Sequence, residues 1–284
     1  MYCECHGHIA LNGINYKLAL ETHKDKCNED AIYQNIIAYK EAGIEYFREG
    51  GDKWGASIIA KDISKKISLT YKSPVFAIHK KGYYGSILGK SFENMKDYKN
   101  LVNNAYNNGA DFIKVMISGI MDYNEYGKIS EYHISEEELK NMVNIAHKKG
   151  LNVMAHCNGK DKIKAAIKAG VSSIEHGFFM DDECIELLSK TEIVWVPTLT
   201  PVKAVENIKD FDKNVILKIL KLQENNIRKA ANSGCYIASG SDAGSVNVPH
   251  KNGLLSEVDY LKKILGDKAD EIIHKGNKKI IELF

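Results

Sequence analysis

Proline is scarce, with four residues in 284, and no low-complexity tract or break in composition marks a linker. This argues against modules strung on flexible spacers and for a single domain over 1–284. No apolar run reaches the roughly eighteen residues that a membrane-spanning helix needs. The opening Met1-Tyr2-Cys3-Glu4-Cys5-His6 has neither the basic patch nor the apolar stretch of a secretory leader. Neither sign of charge dominates: 39 Lys and Arg face 37 Asp and Glu, a net charge of +2. Electrostatic capture by nucleic acid or a membrane surface is therefore not expected. Six cysteines, at 3, 5, 27, 157, 184 and 235, are too dispersed for a disulfide framework and suit reduced thiols in the cytoplasm.

What the chain does have is a rhythm of short apolar runs alternating with amphipathic stretches. Strands are expected at 2–6, 44–48, 74–78, 112–117, 152–156, 173–176, 194–198 and 236–239. Helical spacing lies between them, clearest at 135–149, which opens on a Ser135/Glu138 capping box, and at 216–232. Gly43, Gly109, Gly150, Gly170 and Gly234 follow helical patterns, where left-handed caps belong. Eight strand signals alternating with helices predict an α/β fold, a (β/α)8 TIM-type barrel. A doubly wound open sheet is the alternative, but no glycine-rich turn follows the first strand.

Ionisable residues recur at the C-terminal ends of these strands: His6 and His8, Lys114, His156, His176 and Asp242. That end of a barrel faces the active-site mouth. Imidazole and carboxylate are common ligands of divalent metals. His6 and His8 are two apart and share a side of their strand, while Cys3 and Cys5 point away from them. Lys114 interrupts the apolar run Phe112-Ile113-Lys114-Val115-Met116-Ile117, where an ammonium is costly. It is either neutral, and able to take up carbon dioxide as a bridging carbamate, or paired with a carboxylate across the barrel. Asp242 is either a ligand and base or a helix N-cap, since Ser-Asp-Ala-Gly is also a sound turn.

The strings FREGGD (47–52), DFIKVMISG (111–119), VMAHCNG (153–159), SIEHGFF (173–179), VPTL (196–199), SGSDAG (239–244) and NVPHKNGLLSEV (247–258) resemble the binuclear amidohydrolase superfamily over nearly the whole chain. The imidazolonepropionase-like and Xaa-Pro dipeptidase-like group is the most similar. The resemblance implies two divalent metal ions, usually zinc. His6, His8 and Asp242 would hold one, His156 and His176 the other, and a carboxylated Lys114 would bridge them. It implies hydrolysis of a C–N bond (amide, cyclic amide or dipeptide) in a small-molecule substrate, with Asp242 as the base for a water shared by the metals. Arg48, Tyr123, Asn158 and His250 are candidate substrate contacts, and Arg48 could equally form a structural salt bridge.

Three features depart from the family pattern. Glu4 stands where an aspartate is usual, and His156-Cys157-Asn158 stands where relatives often read His-x-His. The family's accessory β-sandwich has no room between His6 and the start or beyond Phe284. A mononuclear deaminase is the rival enzyme, distinguished by having no use for Lys114; a catalytically inactive ligand-binding barrel is the rival outside enzymes. A homo-oligomer is left open.

Overall fold

A computed structural model describes residues 2–284 of the chain. The strands are β1 (Glu4–Gly7), β2 (Tyr46–Glu49), β3 (Thr70–Lys72), β4 (Ala77–Lys80), β5 (Gly89–Phe92), β6 (Ile113–Met116), β7 (Val153–Cys157), β8 (Ser173–His176), β9 (Val194–Val196) and β10 (Tyr236–Ile237). They form two parallel sheets, ordered β1-β2-β3 and β10-β9-β8-β7-β6-β4-β5, with helices in the crossovers. This is an α/β fold.

Local chemistry accounts for the helices. Glu136–His147 begins at Ser135, whose side chain accepts from Glu138 N at 3.0 Å. Glu136, Glu137 and Glu138 then meet the positive end of the helix dipole. Leu139, Met142, Val143 and Ala146, at three- and four-residue spacing, turn inward. The long helix Lys213–Asn232 is capped likewise by Asp212. Gly150, just beyond the first of these helices, has φ +71°, a conformation open to glycine without steric cost. Ile113, Val115, Val153, Ala155 and Ile174 pack with this helical layer in one buried cluster. Lys114 and Met116, on the alternate side of β6, reach the interior of the strands.

The strand expected at 74–78 is broken. Pro74 has no N–H to donate to a ladder, Val75 has φ +69°, and its N–H is taken by Ser73 Oγ at 2.9 Å. The chain pairs with β2 through β3 before this break and with β6 through β4 after it. One segment therefore touches both sheets. At the other margin, Cys5 N donates to Ser239 O (3.0 Å), Asp242 N to His6 O (2.7 Å) and His8 N to Ala243 O (2.8 Å). The residues following β10 thus lie against β1. β5 was not anticipated, because Gly-Lys-Ser-Phe carries no apolar run; it pairs in parallel with β4. All six cysteines are unbridged and buried. Among the described residues, no helix is long and apolar enough to cross a membrane.

Candidate metal centre

β1 carries Glu4, His6 and, just past its end, His8. The Glu4 carboxylate accepts from Ser241 Oγ (2.5 Å), Ser241 N (2.8 Å) and His6 N (3.2 Å). Burial raises its pKa to about 8. Glu4 thus staples β1 to the segment that carries Asp242. Asp242, with φ +54°, places Oδ1 3.5 Å from His6 Nε2 and 3.2 Å from His8 Nε2. One ligand atom from each of the three lies within 4.8 Å of the others, an arrangement that could hold a metal ion. Burial alone would raise the Asp242 pKa, but the His8 hydrogen bond and the two imidazoles outweigh it and hold it at about 2. No helix starts at Asp242; the next one is Asn252–Leu265.

The remaining imidazoles continue from this triad. The His176 ring centroid is 4.9 Å from that of His6 and 4.7 Å from that of His156. Burial lowers the pKa of His156 to about 4, and those of His6 and His176 well below their usual value. They are therefore neutral at pH 7, as ligands must be. Lys114 is 1% exposed, and its Nζ has no hydrogen-bond partner among the described residues. The cross-barrel ion pair considered for it is absent there. Burial, the largest influence, lowers its pKa to about 8.

Three of the four imidazoles are hydrogen-bonded to an oxygen atom; His8 Nδ1 has no such partner among the described residues. His6 Nδ1 lies 2.6 Å from Glu175 Oε2, and Glu175 is gripped by Arg48 (2.9 and 3.1 Å) and Ser173 Oγ (2.5 Å). His8 Nδ1 is 4.0 Å from Glu49 Oε1. Glu49 also takes Tyr71 OH (2.5 Å) and the backbone N–H groups of Ile9 and Gly51 (3.0 Å each). His156 Nε2 donates to Gly119 O (3.0 Å), leaving Nδ1 for a ligand, and His176 Nδ1 meets Thr198 Oγ1 (2.7 Å). For His6, His156 and His176 such partners fix ring orientation and tautomer. A Cβ on Gly50 would come 2.0 Å from His8 Cε1, so only glycine lets this ring sit as it does.

Glu175 and Glu49 escaped the sequence reading. Strand alternation sends Glu175 and His176 to opposite faces, yet both join this site. The left-handed backbone of His176 (φ +68°) breaks the alternation and turns the second side chain inward as well. The available signal was weaker than at Lys114: a glutamate directly before His176, inside the expected strand 173–176.

His6, His8, Lys114, His156, His176 and Asp242 all line one cavity of about 450 Å³. Of the expected substrate contacts, Tyr123 and Asn158 are in its wall. Arg48 and His250 are not. Arg48 is fully buried, bonded to Cys5 O (2.7 Å), Ser173 and Glu175, with Phe284 stacked 4.4 Å from its guanidinium. His250 Nε2 donates to Leu11 O (2.8 Å), and its Nδ1 meets Tyr39 OH (3.2 Å). Both are structural where they stand. Trp195 is core, and its Nε1 holds the His176 carbonyl at 2.9 Å.

A family model described as the amidohydrolase family matches residues 4–271. Over 167 residues the chain is 31% identical to an ochratoxinase of Aspergillus niger, a match covering 57% of this chain and 34% of that protein. Over 136 residues it is 28% identical to an uncharacterized protein of Mycobacterium tuberculosis, covering 46% and 36%. The chain thus spans about a third of the length of these curated relatives. Its fold is similar to the crystal structure of a Xaa-Pro dipeptidase with methionine bound in the active site. There the TM-score is 0.80 at 21% identity, over 99% of this chain and 75% of that one. Against the crystal structure of the A. niger ochratoxinase the TM-score is 0.79 at 22% identity, over 98% and 70%.

Proposed function

The chain belongs to the amidohydrolase family, and from that membership we propose that it is a metal-dependent hydrolase of a carbon–nitrogen bond in a small substrate. We read its two sheets as arcs of one (β/α)8 barrel forming a single domain. The broken β3–β4 segment would join them at one seam, and the hydrogen bonds between β1 and residues 239–243 at the other. The observation that carries the functional reading is the convergence of six side chains, distant in sequence, on the floor of one cavity.

The donor set fits a pair of divalent cations. His6, His8 and Asp242 would hold one and His156 and His176 the other. Lys114 would join both, its neutral amine adding carbon dioxide and releasing a proton to become an anionic carbamate. A buried amine with no protein partner supports that role, since a lone ammonium there would be costly. Imidazole and carboxylate suit zinc, and also manganese, iron or cobalt. When bound, the cations would supply Lewis acidity and a water made acidic enough to ionise near neutral pH. Asp242, ionised well below neutral pH, would be the group to accept a proton from the attacking water and return it to the leaving nitrogen. Glu175 and Thr198 keep the His6 and His176 rings in their ligating tautomers, and the apolar walls exclude bulk water.

Elemental analysis of the zinc-loaded protein should find two ions per chain, with turnover on a panel of small amides. One ion per chain and release of ammonia from an amino-heterocycle would point to the mononuclear deaminase instead. Lys114→Ala should lose metal and regain part of it with added short-chain carboxylate. Full metal occupancy in that variant would remove the carbamate from the scheme.

A further inference from the structure

We propose that the substrate is an uncharged amide with a bulky apolar substituent, and that the same amide carrying a free carboxylate is rejected. The inference rests on the hydrolase reading of this cavity and concerns its walls. Above the polar floor the walls are hydrocarbon, built by Leu88, Met121, Val202, Val205, Ile208 and Phe211. The polar groups among them are neutral: the phenols of Tyr16, Tyr84 and Tyr123, and the side chains of Asn158, Thr198 and Ser245. Among the described residues lining the cavity, Lys114 is the sole lysine and there is no arginine. In the scheme above Lys114 is itself anionic. Arg48, behind the floor, is already committed to Glu175, Ser173 and Cys5 O.

The mouth has the same character as the walls. Tyr16, Ile87, Ile120 and Val246 line it while remaining 41%, 37%, 45% and 39% exposed. Water-facing hydrocarbon concentrated at a cavity entrance marks a surface that an apolar ligand covers. A carboxylate on the leaving side would lose its hydration against these walls with no cation to meet it. A carboxylate that reached the floor would take the place of the scissile carbonyl and inhibit. Selectivity thus comes from what the walls withhold as well as from what they touch.

N-benzoylphenethylamine and N-benzoylphenylalanine test this directly, because they differ by one carboxylate. With zinc-loaded protein, kcat/KM should favour the uncharged amide by about a hundredfold or more. The uncharged amide should also raise the melting temperature of metal-free protein, and the acid should not. Val246→Arg, at the exposed rim, should narrow the kcat/KM ratio about tenfold by offering the missing cation. Equal or faster hydrolysis of the acid overturns the substrate assignment and leaves the hydrolase reading standing. Selective binding of the uncharged amide without cleavage supports the assignment of the walls and removes the hydrolase reading. Binding of neither compound overturns the assignment.

Discussion

The two halves of the cavity floor are built from the same imidazoles but backed by different chemistry. Behind His6 stands a buried carboxylate, Glu175, locked by further donors, and Glu49 lies 4.0 Å from His8 without a hydrogen bond to it. Behind His156 and His176 stand neutral oxygens, the Gly119 carbonyl and the Thr198 hydroxyl. Asp242 adds an ionised carboxylate to the first half, within reach of both of its rings. A carboxylate behind an imidazole raises its basicity and its hold on a cation more than a neutral oxygen does. The lesson is that identical ligand types need not bind equally. In the scheme proposed above, the triad should fill first and empty last.

The sharpest way to break this asymmetry is to separate holding from reacting. Asp242→Asn keeps a ligand oxygen but removes the base, so turnover should fall by about 10²–10⁴-fold while metal content changes far less. Parallel loss of metal and activity would reduce Asp242 to a ligand. Exchanging the backing groups produces the next largest effect. Glu175→Gln should weaken the tighter zinc site by about 10–100-fold, and Thr198→Ala should weaken the other site by less. Competition with a chromophoric chelator would measure both. Glu175→Gln also strips the charge partner from fully buried Arg48, so its melting temperature should drop as well. Equal metal losses in the two variants would erase the distinction between the halves.

The floor was legible in the sequence and its support was not. The six floor residues announce themselves because they recur within or close to the C-terminal ends of the expected strands. Lys114 within Ile113–Met116 shows this most plainly. The backing groups are fixed by contacts across the chain: Glu175 meets His6 across 169 residues, which no local pattern encodes. Alternation even misdirects, because the inward turn of His176 depends on a positive φ that sequence spacing does not foretell. Arg48 drew attention through the string FREGGD (47–52), which carries part of the family resemblance. Its role was decided by Glu175, whose own place could not be read. The division of the third strand followed similarly from Pro74 and Val75 together, the positive φ of Val75 being invisible to an apolar pattern.

The smallest effect follows from which half is supported by titratable groups. Gly119 O and Thr198 do not titrate, whereas the surroundings of β1 do. Burial raises Glu4 to about 8 and Glu49 to about 7, and lowers His250, which holds Leu11 O just beyond His8, to about 4. Unfolded, a glutamate gives up its proton near 4.5; folded, these two do so only near 7 to 8, so their contribution is full below 4.5 and declines as pH rises between these values. His250 acts at the other end. Unfolded, its imidazole takes a proton near pH 6.5; folded, it does so only near 4, so stability is full above 6.5 and declines as pH falls between these values. His250→Gln can still donate to Leu11 O but no longer titrates. Metal-free protein carrying it should therefore lose melting temperature less steeply between pH 6.5 and 4 than the parent. Identical slopes would show that acid opens the molecule elsewhere first, and the β1 half would then not be the pH-sensitive one.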